Sequence, residues 1–268
     1  MPTIQDQGLC IRHWDWSETS QTVSILTRNH GALRALAKGS KRENARFSGG
    51  VELLTLAAFQ AIVKPHTELA TLTEWDLVEL FPALRRSLDR FHAAMYIADL
   101  LHHAVRDSDP HPGLFDAALT ALRALGDQKS LEASVETALS IEPCLLRFQW
   151  ALLVELGYTP VLDRDAALGG PLPVADRYLF SPRLGGLVAK SAPDGPSWGV
   201  RAQTVDCLRA LAATSAEIDA QACRRANRLL ASYIRELLGE QVPSLSAVFD
   251  LRELAGGPTG IASFTRGG

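Results

Sequence analysis

A chain of 268 residues with 47% hydrophobic and 21% charged residues has the composition of an ordinary folded protein, which excludes wholesale disorder. No apolar run approaches the roughly 20 residues of a membrane-spanning helix, and the polar start, Met1 to Leu9 with Asp6, is unlike a secretory signal, so a cytoplasmic location is expected. The net charge of −3 is unevenly placed: Arg28 to Arg46 holds six basic residues against one acid, Glu43, a local +5 that leaves −8 elsewhere.

The first eighty residues read as strands. Apolar and polar positions alternate through Leu9, Ile11 and His13, through Thr22 to Leu26, and through Leu33, Ala35 and Ala37 against Arg34, Leu36 and Lys38. Asn29-His30-Gly31 supplies a turn between the second and third. Strand-like apolar runs follow at Val51 to Val63 and Leu69 to Leu80. Five strands with no helix long enough to cover a sheet predict a small closed barrel over residues 1–80, best fitted by a five-stranded oligonucleotide-binding (OB) fold.

The basic run Arg34, Lys38, Lys41, Arg42 and Arg46 lies between the third and fourth of these strands, with Arg12 and Arg28 as flankers. Clustered Lys and Arg neutralise a polyanion's phosphates without reading base sequence; the plainer reading is a solvated face. Trp14 and Trp16 share a strand parity, so they either fill a core or stack bases together. Lys38-Gly39-Ser40-Lys41 has the wrong order and the wrong flanking structure for a nucleotide phosphate loop.

At Phe81-Pro82 the period changes. Leu84, Leu88, Phe91, Met95, Ala98, Leu101 and Val105 draw one apolar stripe on a helix starting just after the proline. A second helix is predicted over Gly113 to Leu125 and a third over Pro143 to Leu156, stopped by Gly157; these three are expected to pack together as the first part of a helical domain, 81–157. Prolines and glycines crowd residues 158–200, an irregular or short-stranded insert. Helices resume near Arg201 in a second helical part, 201–255. The longest helix there has Ile218, Ala222, Ala226, Leu229, Tyr233 and Leu237 as its apolar face and ends at Gly239. Its other faces carry Arg224, Arg225, Arg228 and Arg235, a second candidate polyanion surface or a solvated one. Pro243 to Leu254 adds a last turn or two, and residues 256–268 form a flexible tail.

No constellation for catalysis assembles from the sequence: there is no dinucleotide fingerprint, nucleophile elbow or His-Glu-x-x-His, and no enzyme activity or cofactor is expected. Adjacent His102 and His103 point about 100° apart on a helix and cannot share one ion without other ligands. Cys10, Cys144, Cys207 and Cys223 are scattered without close pairing and read as packed cytosolic thiols.

Specific fragments then carry a resemblance. Trp16-Ser17-Glu18-Thr19-Ser20, Leu26-Thr27, Ala37-Lys38-Gly39-Ser40-Lys41-Arg42, Arg46-Phe47-Ser48-Gly49 and Leu72-Thr73-Glu74 are followed by Phe81-Pro82-Ala83-Leu84, Ala94 to Leu101, Leu146-Arg147-Phe148, Leu156-Gly157-Tyr158, Phe180-Ser181-Pro182 and Gly185-Gly186-Leu187. In order and spacing this resembles the recombination-mediator RecO family across nearly the whole chain. The resemblance implies an OB barrel, a helical body and a non-catalytic DNA-repair accessory, in the cytoplasm at the nucleoid. Such a protein binds single- and double-stranded DNA, anneals strands, engages the C-terminal tail of single-stranded DNA-binding protein (SSB), and with RecR helps load RecA. Arg147, with Tyr96 and Trp150 as walls, is the candidate pocket for that acidic, aromatic-ended tail. A pure interaction scaffold, whose basic hairpin meets an acidic protein and never DNA, is the alternative.

Two departures from the family pattern stand out. Many relatives carry a four-cysteine zinc site in the insert, in two close pairs; here the matching stretches, Asp163 to Gly169 and Leu187 to Ala192, hold no cysteine, so no structural zinc is expected. Either apolar contacts of Tyr178, Phe180 and Leu187 hold the insert instead, or it stays mobile. A basic residue that relatives place before the last apolar turn is also missing from Leu245 to Phe249.

Overall fold

Alternating inward residues close the first five strands into a barrel in the computed structural model, which describes residues 2–42, 47, 50–64, 67–127, 137–190, 195–213, 219–239 and 242–249. The strands are β1 (Thr3–Asp15), β2 (Gln21–Thr27), β3 (Ala32–Ala37), β4 (Leu56–Ile62) and β5 (Ala70–Glu79), closed in the order β1-β2-β3-β5-β4. β1 serves two neighbours: Gly8 to Asp15 pair with β2, and Thr3 to Leu9 pair with β4. At the crossover Gly8 passes so close to the core that an added Cβ would meet Ile25 Cγ2 at 2.5 Å. Closure comes from the parallel pairing of Ala35–Ala37 with Ala70–Leu72. That antiparallel meander with one parallel seam is the OB topology expected from the alternation. Cys10, Val23, Ile25, Ala35, Phe59 and Trp75 are among the residues filling the interior.

The fourth strand is shorter than its apolar run suggests. Val51 and Leu54 are buried, yet Val51 to Thr55 is a loop, held because Leu54 N–H donates to Cys10 O (2.8 Å) and Cys10 N–H donates to Thr55 O (3.0 Å). These bonds fall at the β1 bulge between Cys10 and Arg12. Burial, not strand pairing, sets the hydrophobicity there.

A 3₁₀ turn, Pro82–Arg86, precedes α1 (Leu88–Ala104), and α2 (Pro112–Leu125) follows. The expected single stripe on α1 needs correction. Leu88 is exposed and Phe91 and Met95 are half-buried, whereas Tyr96 to Leu101 are buried on every face. An enclosed helix has no polar face for periodicity to report. Two of its enclosed polar side chains have partners: Arg90 Nη1 donates to the Leu125 carbonyl (2.7 Å) at the C-terminus of α2, although its Nε and Nη2 find none among the described residues, and Asp99 takes Arg12 of β1 at 2.5 Å.

The chain divides into two compact units, residues 1–132 and 133–268. α1 and α2 thus belong with the barrel, and α3 (Thr137–Glu155) belongs with the later helices. α3 starts ahead of Pro143, the residue expected to open it; the proline sits inside the helix and costs it one backbone bond. In the second unit α3 packs on α5 (Ala220–Leu238) through a buried polar chain: Gln149 Nε2 donates to Asn227 Oδ1 (2.7 Å), and Asn227 Nδ2 donates to the Glu142 carbonyl (2.7 Å). Between them come a three-stranded sheet and α4 (Ala202–Ala212). The sheet is β6 (Arg177–Ser181), β7 (Gly186–Val188) and β8 (Trp198–Arg201), ordered β7-β6-β8.

Asp219 caps α5 by accepting the Ala222 N–H at 2.7 Å, and Gly239 ends the helix with φ +63°. The expected face of Ala222, Ala226, Leu229 and Tyr233 is buried; Ile218 lies outside the described residues. A single turn, α6 (Leu245–Val248), closes the described chain, and the predicted tail 256–268 lies beyond it. No helix among the described residues is long and apolar enough to cross a membrane.

Candidate nucleic-acid interface

The β1–β2 hairpin and the loop after β3 are stitched into one surface. Trp16 N–H donates to Ser20 O (2.9 Å), which extends the ladder one step past the Asp15–Gln21 pair. Lys41 N–H reaches Thr19 O (3.1 Å), and Gly39 N–H reaches Ser20 Oγ (3.1 Å). Behind this seam lies Gln21, 4% exposed. Its Oε1 accepts from Ser40 Oγ (3.0 Å) and Val51 N–H (3.1 Å), and its Nε2 donates to Val51 O (3.3 Å). Gly39 turns the loop with φ +69°, a conformation a side chain would disfavour. Sequence patterning does not single out Gln21, because a buried glutamine at a strand start has no periodic signature.

Lys38, Lys41 and Arg42 of this loop are all exposed, as are Trp14 and Trp16 of the hairpin, at 51% and 64%; Asp15, between the two tryptophans, faces the other side of the strand. The tryptophans are therefore not core residues; Trp75 and Phe59, stacked 6.4 Å apart, occupy the core instead. Trp14 lies opposite Thr22 and Trp16 opposite Ser20, so the ladder puts both rings on one side of the hairpin, about 7 Å apart along the strand. Lys41 Nζ pairs with Asp15 at 2.5 Å and holds that carboxyl below its usual range. The pair is exposed and therefore weak.

The other predicted cations of this unit have internal partners. Arg12 donates to buried Asp99, and Arg28 grips Asp116 with both nitrogens while lying 5.8 Å from the Phe115 ring centre. These two arginines clamp the barrel to α1 and α2. Arg34 is exposed and lies 3.6 Å from Asp107. Arg46 lies outside the described residues.

Tyr96 cannot serve as a wall of a peptide pocket. It is fully buried, and that burial pushes its hydroxyl pKa upward. Arg147 is exposed on α3 and Trp150, one turn on, is half-buried. On α5, Arg224, Arg225 and Arg228 share a cavity, joined by Arg177 and Arg201 from the sheet. Arg235 does not line that cavity and lies 3.9 Å from Glu236. Nothing in the sequence links positions 177 and 201 to a helix face; only strand pairing does.

Two family models cover the chain: "Recombination protein O N terminal" matches residues 1–81 and "Recombination protein O C terminal" matches 85–246. A protein named DNA repair protein RecO from Rhodopirellula baltica is 35% identical over 208 residues, 76% of this chain and 73% of its own. One of the same name from Anaeromyxobacter dehalogenans strain 2CP-C is 29% identical over 265 residues, 96% of this chain and 100% of its own. That from Pelotomaculum thermopropionicum is 31% identical over 194 residues, 70% and 68%. The chain belongs to the RecO family of DNA repair proteins.

Where RecO relatives are expected to carry zinc-binding cysteine pairs, this chain places Asp165. One carboxylate oxygen accepts N–H groups of Ala167 (2.7 Å) and Leu168 (3.2 Å), and the other accepts Ala189 N–H (3.1 Å). The carboxylate thus ties the first stretch to the second. All three of these bonds come from backbone, and among the described residues no group of three or more His, Cys, Asp or Glu could hold a metal ion. These residues do not fit a zinc site. Apolar packing completes the insert: Phe180 and Leu187 are fully buried, and Phe180 lies 5.9 Å from Trp198 and 5.3 Å from Tyr233, ring centre to ring centre. Tyr178 is half-buried under Arg209, 5.9 Å from its ring. Cys207 and Cys223 are buried thiols, and burial pushes their pKa values up to about 11 and about 12.

Proposed function

We propose that this chain is a non-enzymatic recombination accessory that holds single- and double-stranded DNA on the barrel and promotes annealing. The carrying observation is the exposed Trp14–Trp16 pair fused by hydrogen bonds to the loop of Lys38, Lys41 and Arg42. Exposed rings on a hairpin bonded to a cationic loop are the combination that a flexible, unpaired strand needs. The cations neutralise phosphates, and the rings stack bases whatever their identity. A duplex keeps its bases stacked internally and meets only the cations, so single strands bind more tightly.

Annealing then requires no reacting group. Two complementary strands repel each other, and a surface that screens their phosphates at close range lowers the barrier to pairing. Arg34 of β3 extends the positive stretch along the barrel. In the second unit, Arg147 with Trp150 is the pairing of cation and apolar surface suited to an acidic, aromatic-ended tail such as that of SSB. RecR as partner, RecA loading, and action in the cytoplasm at the nucleoid complete this reading, all on the strength of family membership.

Reversing Lys38, Lys41 and Arg42 to Glu tests the placement. Affinity for single- and double-stranded oligonucleotides falls together, and annealing of complementary strands falls with it. Unchanged binding in a folded triple variant removes the loop from the interface; oligonucleotide binding by neither protein leaves an acidic protein as the loop's partner.

A further inference from the structure

Gln21 opens β2 with Asp15 of β1 on one side and Ala37 of β3 on the other, and its side chain is buried. Two loops meet it: the cationic loop that leaves β3 after Ala37, and the loop that leads into β4. Every hydrogen-bonding position of the Gln21 amide is used. Oε1 accepts from Ser40 Oγ (3.0 Å) and Val51 N–H (3.1 Å), while Nε2 donates to Val51 O (3.3 Å) and meets His13 Nδ1 at 3.1 Å. Val51 decides which end of the amide is which, because its N–H can only donate and its carbonyl can only accept. The Nε2 end therefore faces His13, and Nδ1 has to present a lone pair. Neutral His13, with its proton on the other ring nitrogen, completes the set.

We propose that Gln21 is the positioning residue of the phosphate-binding loop, and that His13, by holding the Gln21 amide, makes the loop's grip on DNA depend on pH. The inference deepens the proposed function and rests on it, since the ligand of the loop is taken from there. Ser40 is fully buried against this amide, and its anchored position leaves Lys38 on one side and Lys41 and Arg42 on the other exposed. Protonation puts a hydrogen on His13 Nδ1, facing the Nε2 hydrogen of Gln21. Two donors then oppose each other, and the amide that anchors Ser40 and Val51 loses one of its four supports. Solvent protons reach the ring, because His13 is exposed and lines a cleft of about 550 Å³. The charged groups about it come in opposite pairs: Asp15 of its own strand with Lys41 of the loop, and Glu52 with Arg85 of the 3₁₀ turn. Added positive charge alone strengthens DNA binding in acid. Loss of the Gln21 contact weakens it, so the sign of the pH effect separates the two.

The test measures binding of a fluorescent oligo-dT by the full chain at about pH 8 and about pH 5.5, on either side of the range in which imidazoles titrate. His13→Gln keeps an acceptor beside the Gln21 amide and removes the titrating ring, so it is the reference for every other titrating group. Relative to it, the parent loses affinity by about threefold or more at the lower pH, the measure of one hydrogen bond. Gln21→Glu inverts the profile, because a protonated His13 donates to the new carboxylate, and this variant binds more tightly at the lower pH. Gln21→Met, which alters no charge, weakens binding at both; if it does not fold, the other two variants decide. Superimposed profiles for the parent and His13→Gln overturn the proposal, as does a Gln21→Glu profile parallel to the parent's or a folded Gln21→Met that binds like the parent. The Lys38→Glu, Lys41→Glu, Arg42→Glu variant separates the two readings. Binding like the parent's removes DNA from the loop and sinks both; lost binding there, with the Gln21 and His13 variants unchanged, sinks the positioning alone.

Discussion

The carboxylate of Asp165 accepts the backbone N–H of Ala189 at 3.1 Å, across the two chain segments in which RecO relatives are expected to pair their cysteines. A side chain that bonds three amides replaces, in this chain, the cross-link a metal would supply. Its pKa is lowered, first by the bond from Ala167, then by that from Ala189.

Acid should therefore open the insert. A carboxylate with a depressed folded pKa stabilises fully above its unfolded value of about 3.9, and the contribution disappears as pH falls through the lower, folded value. Amide exchange across Val161 to Ala189 is expected to quicken over that window, and Asp165→Asn to quicken it already at neutral pH. A zinc chelator should change neither. Slow exchange in Asp165→Asn at neutral pH contradicts the assignment.

Arg12 and Asp99 make the next prediction. Asp99 is 3% exposed in its side chain and Arg12 bonds it at 2.5 Å, so removing the arginine takes a guanidinium away from a buried carboxylate. Arg12→Ala should cost about 3 kcal/mol in urea unfolding. Arg12→Met combined with Asp99→Leu should recover most of it. If the single variant unfolds like the parent, the clamp between β1 and α1 carries no energy.

The stacking role of Trp14 and Trp16 predicts a dependence on bases and not on charge. Each Trp→Ala change should weaken single-strand binding by about 1–3 kcal/mol with the salt slope unchanged, and leave duplex binding nearly as it was. An abasic strand of equal length should bind the parent as weakly as the double variant binds oligo-dT. Equal affinity of the parent for abasic and normal strands contradicts stacking.

His102 gives a pH prediction of the opposite kind of group. Burial, then the nearby Arg12, lowers its pKa. A depressed histidine is neutral in the folded state, so stability is complete above the unfolded value of about 6.5 and declines as pH falls below it. His102→Gln should flatten the loss of stability below about pH 6.5, measured by thermal melting; an unchanged profile excludes the residue.

The barrel is legible where its strands are half-buried, as in β3, whose Ala35 and Ala37 are buried while Arg34 is exposed; β2 is buried on both faces from Val23 to Thr27. The sequence misleads wherever burial and secondary structure part company. Val51 and Leu54 are core residues on a loop, and Tyr96 lies in a helix enclosed on all sides, where apolar content says nothing about which face is free. Pro143 reads as a helix start because a proline is cheapest there, yet packing of α3 on α5 through Gln149 and Asn227 carries the helix past it. The basic loop is visible as charge. Its partnership with the Trp14–Trp16 hairpin is not, since it depends on Gln21, Ser40 and Thr19, polar residues without pattern. Arg177 and Arg201 are 24 residues apart in the chain and meet only through strand register.

The central claim is that Lys38, Lys41 and Arg42 neutralise phosphates on the barrel, and the salt dependence of oligo-dT binding tests it most directly. With these three cations reversed, the log-log slope of the Lys38→Glu, Lys41→Glu, Arg42→Glu variant should be shallower than that of the parent by about 2, from roughly 0.7 per phosphate on single strands. Identical slopes for the two proteins, both folded, would contradict it.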